Sequence, residues 1–330
     1  MLCDVLNNNT INYQITITKM KNQLFAAALT ALSLAACNKK DADRPQTIVD
    51  PVAMCSFTAD IRTTVTSRAS TEGTAFTAGD QVGIVPVKSS GVDEAQNNIP
   101  YTNNGTRFEA EPPYWFRDRG DVTFNAYYPY MKEMSDNTIP IDTKAENQTS
   151  DANGWRINDL LFASATTNVV TPTVSYTGVH AFRHQMSKLT LTFKVGDGID
   201  DISGLQSYTI GNLVMHGSFN AATGSLALNQ EAAPTTVTMT VPQCNGSEYT
   251  ANSLILLPQA ITGGALNLSI LFSGQIYNAR LLLSDGFQPG WHYTFTVTVS
   301  STALTPGDAQ IVNWETADGG TADATMPDVI

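Results

Sequence analysis

The sequence predicts an all-β protein with two antiparallel β-sandwich domains in tandem, and three observations carry that prediction. Apolar and polar residues alternate with a period of two over most of the chain. Ser187-Lys-Leu-Thr-Leu-Thr-Phe-Lys-Val195, for example, puts Leu189, Leu191, Phe193 and Val195 on one face. Clusters of Gly, Asn, Asp and Pro interrupt the alternation often enough to turn the chain between short strands. Helical periodicity is nearly absent, so the helical crossovers that join parallel strands are missing and the sheets are expected to be mainly antiparallel. A length of 330 residues suits roughly two domains. With 42% hydrophobic and 15% charged residues, the chain is not a disordered one.

From the N-terminus, residues 1–19 carry little charge and read as a non-native upstream extension, with Met20 as the initiator. Residues 20–36 read as a signal peptide. Lys21 supplies the basic start, Leu24 to Leu34 an apolar run of about 11 residues, and Leu34-Ala35-Ala36 a small-residue end. The run is too short to span a bilayer as a helix. Cys37 follows directly, and Leu-Ala-Ala-Cys resembles the bacterial lipobox, in which the thiol is acylated and the signal peptide removed. Cys37 is therefore the expected lipidation site of an outer-membrane or surface lipoprotein. Residues 37–53 are polar, contain Pro45 and Pro51, and read as a tether between lipid and fold. Cys55 and Cys244 are then the remaining cysteines, too few for a disulfide framework.

The first domain is expected over 54–185. Cys55, Phe57, Ala59, Ile61, Thr63 and Val65 alternate as one face of an opening strand, and Val122–Tyr128 is a second clear strand. Asn158-Asp-Leu-Leu-Phe-Ala163 is the candidate for a helical turn or two. Near 185 a loop-rich, aromatic stretch gives way to cleaner alternation, which sets the boundary of a second domain over 186–330 with an acidic tail. Its strands are expected at 187–195, Thr236–Val241, Ala265–Phe272 and Trp291–Val299. In the last of these Trp291, Tyr293, Phe295, Val297 and Val299 share a face. Gly196-Asp-Gly198 and Asn220-Ala-Ala-Thr-Gly224 look like hairpin connections.

The chemistry that the sequence fails to offer is informative. A net charge of −12 disfavours nucleic acid and anionic surfaces as partners. His180 and His184 are four apart, but on a strand that spacing spans about 13 Å, too far to share a metal, so no metal is expected. Ser135-Asp136-Asn137 lacks the companion motifs of a serine β-lactamase, and no nucleophile elbow, phosphate loop or zinc-protease helix motif occurs. Asp197, Asp200 and Asp201 flank glycines without the spacing of a calcium loop and read as a solvated turn. No catalytic residue and no cofactor is expected. Of four tryptophans, Trp291 and Trp314 read as core or edge packing. Trp115, beside Pro112, Pro113, Tyr114 and Phe116, is the candidate for ligand contact.

Several segments in order along the chain carry a further reading. They are Thr66-Ser-Arg68-Ala69, Phe76-Thr-Ala-Gly-Asp80, Val122-Thr-Phe-Asn-Ala-Tyr-Tyr-Pro129 and Phe182-Arg-His-Gln-Met-Ser-Lys-Leu189. Leu256-Leu-Pro-Gln259, Phe287-Gln-Pro-Gly-Trp-His-Tyr293 and Ile311-Val-Asn-Trp314 follow. Together they resemble the fimbrillin family of the Bacteroidales, the lipoprotein precursors of type V pili and their accessory subunits.

The resemblance implies two transthyretin-like sandwiches, no catalytic site, and assembly with other pilus subunits by strand exchange. It also implies a cell-surface fimbrium as location and a host or bacterial surface receptor as a further partner. In polymerising members an arginine-specific protease removes the first strand together with the lipid. Here the removable strand would be Cys55, Phe57, Ala59, Ile61 and Val65, expected at a sheet edge where backbone groups lie open to a partner. A first strand locked between two neighbours at the middle of its sheet would contradict strand exchange itself. Arg68 is the cleavage candidate, with Ala69 as the new N-terminus; Arg62 lies within the strand pattern and Arg44 would remove no strand. An ordinary first strand and an ordinary loop arginine form the other reading. Glu315 to Ile330 has few large apolar residues to serve as knobs of a donated strand, which leans toward a terminal position in the fibre. The alternative function is a glycan-binding surface lipoprotein of a nutrient-uptake system, with Trp115 in contact with sugar.

Overall fold

The computed structural model describes residues 53–61, 75–88, 96–148, 158–229 and 233–314. Among these the long regular elements are all strands, because alternating Thr, Val, Ile and aromatic residues fit a half-buried pleated surface. The first half supplies β1 (Ser56–Ala59), β2 (Gln81–Val87), β3 (Ile99–Asn103), β4 (Phe108–Glu109) and β5 (Val122–Tyr128). β6 (Thr138–Asp142), β7 (Leu161–Thr167), β8 (Thr173–Tyr176) and β9 (Arg183–His184) follow. The second half opens with β10 (Ser187–Val195), β11 (Leu205–Leu213), β12 (His216–Asn220), β13 (Ser225–Leu228), β14 (Thr235–Thr240) and β15 (Glu248–Thr250). It continues with β16 (Leu254–Leu256), β17 (Ala265–Phe272), β18 (Gln275–Leu282), β19 (Trp291–Val299), β20 (Leu304–Pro306) and β21 (Gln310–Asn313). Helical structure among the described residues is limited to Asn158 and short 3-10 turns such as Gly178–His180 and Ile202–Gly204, and no helix there is long and apolar enough to cross a membrane.

Eight strands of the first half form one sheet in the order β8-β1-β4-β3-β2-β5-β7-β9. The sheet curls until the Tyr176 hydroxyl on β8 donates to the Phe124 carbonyl on β5 at 3.0 Å. It thereby encloses an aromatic core of Phe57, Tyr101, Phe116, Phe124, Tyr176 and Phe182. In the second half β15, β10, β19 and β20 pair in that order, with β16 on β10 and β21 on β19, and the other sheet runs β14-β11-β17-β18. Between them lie Leu189, Leu191, Phe193, Tyr208, Ile210, Leu268, Ile270, Phe295 and Val297.

Most pairings are antiparallel, but β1 runs parallel to β8, and β10 to β19 from Lys188↔His292 to Val195↔Val299. No helix makes the second crossover. Between β10 and β19 the chain enters the facing sheet and returns, so strands take the connector's place. The same crossing corrects the expectation at Gly196-Asp-Gly198, which leads from β10 into the turn before β11 and closes no hairpin. Asn220–Gly224 does close one, between β12 and β13, with the Asn220 carboxamide oxygen accepting from the Ala222 and Thr223 amides. The expected helical turn at 158–163 is also corrected. Leu161 starts β7 and packs into the first core, while Phe162 points the other way onto Phe219.

A third sheet, β6-β12-β13, joins residues from both sides of the expected boundary near 185. Val85, Tyr127, Ile139, Leu160, Met186, Phe219, Ile255, Leu257 and Trp314 form the core beneath it. The described residues between 53 and 314 fall in one compact unit. At the heart of this junction Trp314, 5% exposed, stacks on the His184 ring at 3.9 Å and 11°. His184 is held by Asp159, Nδ1 to Oδ1 at 2.6 Å, and the Lys188 ammonium lies 5.6 Å from the indole centroid. Gly290, at φ 75°, donates to the Met186 carbonyl at 2.8 Å and accepts from the Trp314 amide at 2.7 Å. A side chain there would meet both the strain of left-handed backbone and the His184 carbonyl at 3.3 Å. Trp291 shares the parity of Tyr293 and Phe295 but is 39% exposed, because the core ends at Tyr293. Trp314→Ala is expected to destabilise the fold by about 3–5 kcal/mol in denaturant unfolding, since it empties the junction core.

Candidate functional site: the slot that holds the first strand

The opening ribbon is not at a sheet edge. β1 lies between β8, with which Ser56 to Ala59 register against Thr173 to Tyr176, and β4, where Phe57 faces Phe108. This overturns the edge expectation, and the reason is connectivity. β8 returns alongside β1 and covers the side that would have been open. Hydrogen bonds extend the pairing on both sides beyond the strand itself. The Cys55 amide donates to Tyr114 at 3.0 Å and the Phe116 amide to Ala53 at 3.1 Å. The Ser56 amide donates to Pro172 at 3.1 Å, the Asp60 amide to Tyr176 at 2.9 Å, and the Phe182 amide to the Asp60 carbonyl at 3.0 Å.

The alternation expected of residues 55–61 is present. Cys55, Phe57 and Ile61 are buried at 3%, 1% and 6% exposure and Ala59 is half-buried, while Ser56, Thr58 and Asp60 face outward. Phe57 is the knob. Its ring meets Tyr101 edge-on at 4.6 Å, Phe124 edge-on at 5.3 Å and Tyr176 in parallel at 6.0 Å. The Tyr101 hydroxyl in turn accepts from the Tyr114 amide at 2.7 Å, so the slot is lined by rings fixed at their polar ends. Burial away from water pushes the Cys55 thiol up to about 12.

Beyond Ile61 the next described residue is Ala75. Cys37, Val65, Arg68 and Ala69 lie outside the described residues. A cavity of about 420 Å³ adjoins the end of the ribbon, bordered by Asp60, Ile61, Phe76, Arg107 and Phe108.

The other candidates sit apart from the slot's interior. Trp115 is 36% exposed, bridges antiparallel to Met54 on the outer side of the ribbon, and accepts from the Gln96 carboxamide at 3.1 Å. His180 is exposed while His184 is buried in the junction, so the two do different work. Ser135-Asp136-Asn137 makes a tight turn, with both central residues at positive φ, 50° and 59°. Asp201 caps a 3-10 turn through the Ser203 amide at 2.8 Å and also accepts from Gly246 at 2.7 Å; the Ser203 side chain first, then the Gly246 and Ser203 amides, hold its carboxyl below the usual range.

With this geometry in view, comparison with known proteins is decisive for family. The fimbrillin-like family profile matches residues 67–314. The chain belongs to the fimbrillin-like family. A curated Bacteroides ovatus protein named as a proposed fimbrium tip subunit, Fim1C, is 28% identical over 160 residues, 44% of this chain and 30% of that protein. The chain therefore spans under a third of that curated relative's length. Among solved structures, a proposed cell-adhesion protein of Bacteroides ovatus superposes with a TM-score of 0.66 at 23% identity. It covers 80% of this chain and 99% of its own. One from Bacteroides uniformis gives 0.60 at 23% identity, over 80% and 98%. Both establish that this all-β fold is shared.

Two predictions follow from the slot. Phe57→Ala is expected to cost about 3–5 kcal/mol of unfolding free energy, a large part of a domain's stability. Cys55 is expected to stay unalkylated at pH 8 in the folded protein while Cys244 reacts. Its folded thiol titrates far above the unfolded value of 9.0, so the stability from burying it neutral is complete below about pH 9. That contribution falls as pH rises toward 12. Peptide mapping after alkylation at stepped pH measures both effects.

Proposed function

We propose that this chain is a structural subunit of a cell-surface fimbria, exported as a lipoprotein through Cys37, that accepts a strand from another subunit in the slot now held by residues 53–61. The observation that carries the reading is Phe57, a buried knob on a short ribbon bonded along both sides. An edge strand can recruit a partner by addition alone. A ribbon between two neighbours works by replacement. Its departure bares two rows of backbone groups and an aromatic hole, and an extended segment with an apolar residue at the right position restores both. The energy that keeps the ribbon in place is thereby offered again to its successor.

Cleavage after Arg68 would free the ribbon together with the lipid. The tail Glu315 to Ile330 supplies poor knobs, which supports a subunit that accepts a strand without donating one, at the tip or in an accessory position. In this reading the protein performs no reaction. Arginine-specific digestion of the folded chain is expected to give a product beginning at Ala69, and added peptide 53–66 is expected to suppress its association with partner subunits. An Arg68 bond that survives long digestion while other bonds are cut overturns the proposal. The exposed Trp115 beside Met54 favours a second reading, sugar contact on the outer face of the ribbon. Polysaccharide binding that is lost on Trp115→Ala, with unchanged melting, would support it.

A further inference from the structure

Among the described strands most sheet edges are short or interrupted. β15, β16 and β20 have three residues each and β20 ends in Pro306; β9 has two; β8, β13 and β21 have four; β6 carries Pro140; β14 has six, its register with β11 shifts at the Thr235 end, and the Ala145–Gln148 turn packs beside it. Short strands, prolines and irregular register all discourage pairing with a foreign strand. β18 has none of these. It runs for eight residues in unbroken register with β17 and contains no Pro and no Lys; no described strand hydrogen-bonds to its other side, although the three-residue β20 of the facing sheet packs near it and the Tyr277 hydroxyl donates to the Ser301 carbonyl at 3.3 Å.

The hairpin fixes which groups face outward along that edge. Ser273 and Gly274 form a two-residue turn with φ 48° and 79°, so Phe272 and Gln275 are a hydrogen-bonded pair. Leu283 donating to Gly264 at 2.9 Å keeps the same phase at the far end. By alternation, Gln275, Tyr277, Ala279 and Leu281 bond to β17, and the backbone groups of Ile276, Asn278, Arg280 and Leu282 point to the open side. The side chains of those four also face outward, and Ile276 and Leu282 are each 69% exposed.

We propose that β18 pairs antiparallel with β18 of a second copy, on a two-fold axis through Ala279. The sequence is self-complementary in that register. Ile276 of each copy faces Leu282 of the other, Asn278 faces Arg280, and the small Ala279 meets itself. The adjacent permitted registers are worse: one sets Arg280 against Arg280, and the other sets Ile276 against Arg280. The contact joins two four-stranded sheets into one of eight and gives both apolar side chains a partner. It is independent of the slot at β1.

The test uses cells that make the full-length chain with Cys244→Ser. Ala279→Cys places two thiols at a non-hydrogen-bonded pair with Cα atoms about 4.5 Å apart, so mild oxidation gives a disulfide-linked dimer. Leu282→Cys puts its thiols about 20 Å apart across the axis and does not cross-link. Ile276→Lys with Leu282→Lys in the Ala279→Cys chain abolishes the dimer without changing the melting temperature. Equal cross-linking at 279 and 282, no dimer at 279, or a dimer that survives the two lysines overturns the proposal.

Discussion

A strand bonded along both sides cannot leave its sheet cheaply, and the placement of residues 53–61 rests on that constraint. The backbone of this ribbon is spoken for by Tyr114 and Phe116 on one flank and by Pro172, Tyr176 and Phe182 on the other. Its side chains reach a closed aromatic core. Each buried polar group left without a partner would cost on the order of 1–3 kcal/mol, so the emptied slot is a state to be passed through quickly or refilled. The proposed strand replacement draws on that cost.

Several of the described segments that carry the family resemblance are scattered in sequence but meet in space. His184 and Met186, the Phe287–Tyr293 stretch and Trp314 converge around Gly290. Gln259 of Leu-Leu-Pro-Gln binds both backbone groups of Val214 in the same region, at 2.7 and 3.0 Å. Thr77 and Asp80 lock the turn after Phe76 by a 2.7 Å bond, and Phe76 closes on Phe108, Tyr128 and Phe182. These residues hold the two halves and the entrance of the first core, so their order in the chain identifies the family better than any one of them does.

Much of the fold was legible because apolar and polar residue types alternate with a period of two. β5, β10, β17 and β19 have the bounds the alternation indicates, although β5 and β10 are largely buried on both faces. Legibility failed where the residue types lose that alternation. β7 sends Leu161 and Phe162 into different cores, so its apolar run mimicked a helical turn. β18 carries Ile276 and Leu282 on the same outward face as Asn278 and Arg280, which erases the contrast. The inward face of residues 55–61 was readable, but its neighbours were not. Alternation tells which side of a sheet a residue faces and is silent on which strands lie beside it. That β8 would cover the ribbon needed the coordinates.

The most direct measurement of the central claim is amide hydrogen exchange at Phe116 and Phe182, whose N–H groups donate to the Ala53 and Asp60 carbonyls. Replacement predicts that both amides are protected in the intact protein, become fast once the ribbon is released, and regain protection when a partner's segment enters. Assembly that proceeds while both amides stay protected by the original ribbon would contradict the account.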